Sequence, residues 1–271
     1  MRAIGIYREP EFSPGKVDDD AAILDAVLAE LGAHEFETTG LAAAQFAGRG
    51  APPADLILAM CQGDRALKRL AEVGQTGAIV INSALAIRNC YRDLLSAGLA
   101  RSGVPVPAGI LVNTSAPLDR PALGGIDLAD GVYVKRGDLH ALGPDDVERV
   151  VSAAQLDSVL RGFARRGIPR AYLQQEVEGR VVKFYGVSGQ TFFDVVDGGT
   201  TVPENVERRL GNDAQRAATA LGLEAWGGDA VLCGDRFTII DFNDWPSMSR
   251  VRHPAARAIA KRAMMLTRTP H

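Results

Sequence analysis

The chain has 271 residues, with 30 basic and 33 acidic side chains for a net charge of −3, and 46% of its residues are hydrophobic. That length suits one large domain or two modest ones, and the composition is neither disordered, collagenous nor disulfide-dense. The slight acidic excess argues against a nucleic-acid partner, and no apolar run reaches the ~20 residues of a membrane helix.

Chain order begins with a short apolar strand, Ala3 to Tyr7, with no signal-peptide pattern ahead of it. The spacing of Ile23, Leu24, Val27, Leu28 and Leu31 predicts a helix over Asp20 to Leu31, stopped by Gly32. Between them lies a loop, Arg8 to Lys16, read either as part of a substrate pocket or as plain surface. Leu56 to Met60 reads as a buried strand, Asp64 as the cap of the following helix, and Ala78 to Ile81 as another strand. One helix is expected over Ala84 to Ser102, ended by Gly103. Strands and helices alternating in this way imply a small parallel sheet with helices on both faces. Val104-Pro105-Val106-Pro107 then marks a stiff boundary.

Beyond that boundary the pattern becomes α+β. Strands are predicted at Val132 to Lys135 and Ala171 to Gln175, with a helix from Ala153 to Arg166 between them. Val181 to Val187 and Thr191 to Val196 flank a hairpin turn at Ser188-Gly189-Gln190. A helix over Asn212 to Leu221 precedes a second hairpin, Ala230 to Cys233 and Arg236 to Asp241, turned at Gly234-Asp235; Ala255 to Leu266 is the last helix. Three scattered cysteines (Cys61, Cys90, Cys233) point to a reduced, cytoplasmic protein rather than a disulfide framework or zinc site. The pattern sets no oligomeric state.

Walker, Rossmann, zincin and nucleophile-elbow motifs are missing. Three segments carry chemistry instead. In Gly227-Gly228-Asp229 and Asp241-Phe242-Asn243, side chains two apart share a strand face, and the hairpin brings Asp229 beside Asp241. Two carboxylates and an amide oxygen suit Mg²⁺ shared with phosphate; the plainer alternative is a hairpin with polar ends. Lys135, closing an apolar strand before Gly137, can aim an ammonium at a phosphate, and His140 in the next loop can donate to one; the plainer and commoner reading of each is a solvated side chain. In Gln175-Glu176-Val177-Glu178, an acidic connection leads to a strand whose Lys183 can point inward, or which is simply a charged edge strand.

Taken in order over residues 80 to 250, these segments resemble the ATP-grasp superfamily, in particular the ribosomal-protein glutamate ligases and, more distantly, the inositol trisphosphate kinases. The resemblance implies an N-terminal αβ domain (1–107), then a central subdomain (108–178) and a C-terminal subdomain (179–271) that clamp ATP. It implies that Arg92 and Lys135 bind the phosphates, with His140 beside them. Gln175, Glu176 and Val177 would form the adenine hinge, with Glu178 near the ribose. Lys183, with Arg180, would face the transferred group, and Asp229, Asp241 and Asn243 would hold Mg²⁺ or Mn²⁺. Arg92 stands where lysine is common, Asp241 where glutamate is, and Pro246-Ser247 where Pro-Gly is. The expected activity is an ATP-dependent carboxylate–amine ligase acting on a small anionic substrate near Ser247, Ser249, Arg250 and Arg252, the two arginines being also readable as solvated residues ahead of the last helix; the alternative is a kinase on the same scaffold.

Overall fold

The computed structural model describes residues 1–116, 123–189, 192–199 and 201–268. Gln190 and Thr191, expected to close the first hairpin turn and open its second strand, lie outside them. The first unit is a four-stranded parallel sheet of order β2-β1-β3-β4, built from β1 (Arg2–Tyr7), β2 (Glu37–Ala42), β3 (Leu56–Ala59) and β4 (Ile79–Ile81). All four residues of β3 are buried, as a strand covered on both faces requires. Helix α1 (Val17–Gly32) packs on one face; α2 (Ala43–Arg49) and α3 (Asp64–Gly74) pack on the other. β2 escapes a pattern reading because it is an edge strand with only Leu41 buried.

Two local differences from expectation reach the site. Asp64 does not cap α3. Gly63 is the cap residue, Glu9 accepts the N–H groups of Gln62 and Gly63 (2.9 and 3.0 Å), and Asp64 pairs with Arg88. The expected single helix over residues 84–102 is two, α4 (Ala84–Asn89) and α5 (Arg92–Ser102). Tyr91 between them is extended, its hydroxyl bonded to the Gln62 carbonyl at 2.5 Å. The restart makes Arg92 the first residue of α5.

The stiff Val104–Pro107 segment docks on the C-terminal part of the chain through the Pro105 carbonyl, which accepts the Ile239 N–H at 2.8 Å. It leads into an antiparallel sheet of order β5-β8-β6-β7: β5 (Gly109–Asn113), β6 (Val132–Arg136), β7 (Val147–Val150) and β8 (Arg170–Gln175), backed by α6 (Ala153–Arg165). β5 and β7 are edge strands with mostly exposed or half-exposed residues, which hides them from periodicity.

The third sheet, order β10-β9-β11-β12, is also antiparallel: β9 (Arg180–Val187), β10 (Phe192–Val196), β11 (Ala225–Cys233) and β12 (Arg236–Asp244). Helix α7 (Glu204–Leu221) buries Val206, Leu210, Ala214, Ala217 and Leu221 against one face, beginning eight residues before its expected start. Phe184, Trp226 and Phe242 stack on that face with ring centroids 5.5–6.3 Å apart. A Cβ on Gly228 would stand 2.5 Å from the Phe184 ring and 2.3 Å from the Asp241 carbonyl, so the glycine before Asp229 is dictated by this packing.

The last helix, α8 (Arg252–Arg268), lies between α1 and the third sheet, so one core holds residues of the first and last segments of the chain. Fully buried Asn82 reinforces the join: its amide accepts from Glu224 N and Ala225 N (2.7 and 3.1 Å) and donates to Ala225 O (2.7 Å). Asn82→Ala leaves those backbone groups without partners and is expected to lose about 3 kcal/mol, read from denaturant unfolding.

Candidate active site

The cleft face of the third sheet follows from strand parity. Val182 and Phe184 point into the α7 core, so Val181, Lys183 and Tyr185 point the other way. On β11 and β12, Asp229 stands directly opposite Asp241, and Gly227 opposite Asn243. Lys183 is opposite Asp229 on the other side and bonds it at 2.8 Å. A bulge at Asp229/Ala230 lets Ile240 turn its carbonyl toward the central lobe, where Lys135 Nζ (3.3 Å) and Gln174 Nε2 (3.2 Å) donate to it.

Arg92 reaches the same point from the start of α5, 3.7 Å from Asp241. Arg92 and Lys135 are 4% and 8% exposed, so two cations are held nearly dry beside one carboxylate. Burial alone would push the Asp241 carboxyl up, but Arg92, Lys135, His140 and the Phe242 N–H hold it below the usual range. Burial pushes the Lys135 ammonium down to about 8, against the pull of Asp241. Asp229 is pushed up by burial despite Lys183, a carboxylate short of positive charge. Among the described residues no group of three His, Cys, Asp or Glu is placed to hold a metal; the donor set here is two facing carboxylates and an amide, hard oxygen ligands that fit Mg²⁺ or Mn²⁺.

His140 stands on the 137–143 loop, which is tied down by Asp146: its carboxylate accepts from Leu142 N (2.8 Å), Arg136 (3.2 Å) and Arg166. The His140 ring lines the same crevice as Phe12, and burial followed by the field of Arg8 lowers its pKa to about 4. The ring is therefore uncharged at neutral pH.

The other expected residues separate. Gln175 and Glu176 are satisfied within the central lobe: their N–H groups go to Ala108 O and Gly131 O, and the Glu176 carboxylate to Arg149. Val177 and Glu178 instead line a crevice of about 760 Å³ with Val231 and Thr238. Arg180 lies on the opposite face of β9 from Lys183 and pairs with Asp197. Ser247, Ser249 and Arg250 line a second crevice of about 570 Å³ with Lys183, Asp229 and Asn243. Arg252, at the start of α8, is turned to Asp19 at 2.9 Å.

A buried polar knot under this second crevice was not foreseen. Arg8 donates to the carbonyls of Trp245 (2.7 Å), Asp244 (3.3 Å) and Met60 (3.2 Å) and pairs with Asp20. Gln62 donates to Asp244 at 3.0 Å, and Ser13 to Asp20 at 2.6 Å. Burial raises the Asp244 carboxyl to about 6. Trp245 and Met248, both buried, hold positive φ of 34° and 47°, so the turn after Asn243 is strained and pinned by Arg8. The only sequence signal was the unusual composition of the Arg8–Lys16 loop.

No family model and no curated protein matches the sequence. Solved structures do match, along nearly the whole chain. D-alanine–D-alanine ligase from Bacillus anthracis is 13% identical with a TM-score of 0.76, over 98% of both chains. VanG D-Ala:D-Ser ligase from Enterococcus faecalis is 11% identical with a TM-score of 0.72, over 98% of this chain and 99% of its own. A RimK-domain ATP-grasp protein from Sphaerobacter thermophilus is 17% identical with a TM-score of 0.69, over 97% and 99%. The chain has the ATP-grasp fold, a parallel αβ sheet followed by two antiparallel sheets that face each other.

Proposed function

We propose that the protein is an ATP- and Mg²⁺-dependent ligase that joins a carboxylate to an amine, releasing ADP and phosphate. The observation that carries this reading is the convergence of Arg92, Lys135 and Lys183 on the facing pair Asp229 and Asp241, where the two antiparallel sheets meet. The names of the similar structures, D-Ala–D-Ala and D-Ala:D-Ser ligases, support carboxylate–amine ligation as the reaction class. The three free thiols suit a cytoplasmic setting.

In this reading ATP lies between the sheets, with its base toward Val177 and Glu178 and its phosphates toward Arg92 and Lys135. A substrate carboxylate oxygen attacks the γ-phosphorus, ADP leaves, and Lys183 stabilises the charge spreading over the transferred group. The amine then attacks the acyl carbon of the acyl phosphate, inorganic phosphate departs, and the amine loses a proton. Asp229, Asp241 and Asn243 would hold Mg²⁺ or Mn²⁺, which when bound neutralises phosphate charge. The buried walls at Lys135 and Arg92 keep water from the acyl phosphate.

Hydroxylamine in place of the amine provides the test. Incubation with ATP, Mg²⁺ and a panel of carboxylic acids is expected to give hydroxamate in step with ADP. ADP release from a turnover substrate with no hydroxamate would overturn the ligase reading in favour of a kinase.

A further inference from the structure

The cations around the 570 Å³ crevice are not equivalent. Arg8 is paired with Asp20 at 3.3 Å, Lys183 with Asp229 at 2.8 Å and Lys16 with Asp19 at 3.3 Å. Arg250 lines the crevice too, yet forms no ion pair or hydrogen bond with any described residue. Tyr185 lines the same crevice; the residue is 8% exposed and belongs to the core that holds Trp245 and Met248. Its hydroxyl lies in the fields of Lys183, Asp229 and Arg250 and has no hydrogen-bond partner among the described residues. A phenol without a hydrogen-bond partner and an exposed guanidinium without a counter-ion among the described residues, lining one crevice, make a two-point anion anchor.

The register sets the distance to the chemistry. Tyr185 and Lys183 share a face of β9 two residues apart, a separation of about 7 Å along the strand. We propose that Arg250 and Tyr185 bind the distal carboxylate of a small dicarboxylic acid whose other carboxylate is presented to the phosphoryl group beside Lys183. This rests on the ligase reading for the fate of the near carboxylate, but not for binding of the far one. The span suits an acid of about five or six carbons.

Isothermal calorimetry on the full chain, loaded with Mg²⁺ and a non-hydrolysable ATP analogue, tests it with glutarate and butyrate as probes. Glutarate is expected to bind at least about tenfold more tightly than butyrate. Arg250→Ala should weaken glutarate by about tenfold or more and bring the two acids together, and Tyr185→Phe should weaken it about three- to fivefold. The affinity for the ATP analogue should not move in either variant, which reports an intact fold. Equal binding of the two acids, no glutarate binding, or an equal loss of both in Arg250→Ala would overturn the anchor. The hydroxamate assay separates the two readings: glutarate discrimination without hydroxamate keeps the anchor and removes the ligase, whereas hydroxamate formed equally from both acids keeps the ligase and removes the anchor.

Discussion

Asp241→Asn is expected to lower Mg²⁺-dependent ATP turnover by about 10²–10³-fold, because the substitution keeps the shape of the side chain while removing its charge. Asp241 is opposite Asp229 in the ladder, 3.7 Å from Arg92, and in the field of Lys135. It thus serves two partners: the divalent cation of the proposed reaction and the two buried cations of the resting protein. Asp241→Ala should therefore do more than abolish turnover. It leaves Arg92 and Lys135 facing one another without a counter-ion, at a cost of about 3 kcal/mol, the low end for a broken buried pair because the carboxylate keeps some contact with water. Steady-state ADP release and thermal melts of both variants separate the two roles. Turnover within a few-fold of the parent in Asp241→Asn would remove the residue from the metal set.

Lys135→Met is expected to bind ATP about 10–100-fold more weakly while melting at a higher temperature than the parent. The opposing signs share one cause. Burial lowers the Lys135 pKa to about 8, so the folded state disfavours the charged ammonium relative to the unfolded chain. Below pH 8 the group is charged in both states and that cost is fully present. Between about 8 and the ordinary lysine range the unfolded chain binds more protons, so this group makes stability rise with pH. ATP binding runs the other way: a triphosphate restores the charge, so affinity should fall as pH rises above 8, with proton uptake on binding. Calorimetry in buffers of differing ionisation enthalpy measures that uptake. Uptake persisting unchanged in Lys135→Met would assign it to another group.

How much of this could be read from the sequence depends on how far apart the partners lie. Asp229 beside Asp241 follows from one hairpin and a two-residue period, and Lys183 joins them because β9 pairs with β11. Lys135 was legible as a charge ending an apolar strand, though not its contact with the Ile240 carbonyl, which needs a bulge that no local pattern announces. Arg180 is expected beside Lys183, yet three residues along a strand reverse the face, and it turns to Asp197. The parallel and antiparallel sheets were visible through their buried strands, while β2, β5 and β7 were not, since edge strands carry few buried side chains. The knot of Arg8 with Asp244 and Trp245 spans more than two hundred residues, and only folding brings it together.

The distribution of the cores has a mechanical consequence. The N-terminal sheet shares one core with α8, β9 and Trp245, α5 shares another with α7 and β11, and Asn82 stitches the seam. The core under α6 draws only on the central segment. Three stretches of sequence thus make two solid bodies: a fixed block bearing Lys183, Asp229, Asp241, Asn243 and Arg250, and one jaw bearing Lys135 and His140. Prising the cleft apart costs chiefly the thin contacts of that jaw, Lys135 and Gln174 on Ile240 and Arg170 on Asp93, and leaves the anvil it closes on undisturbed.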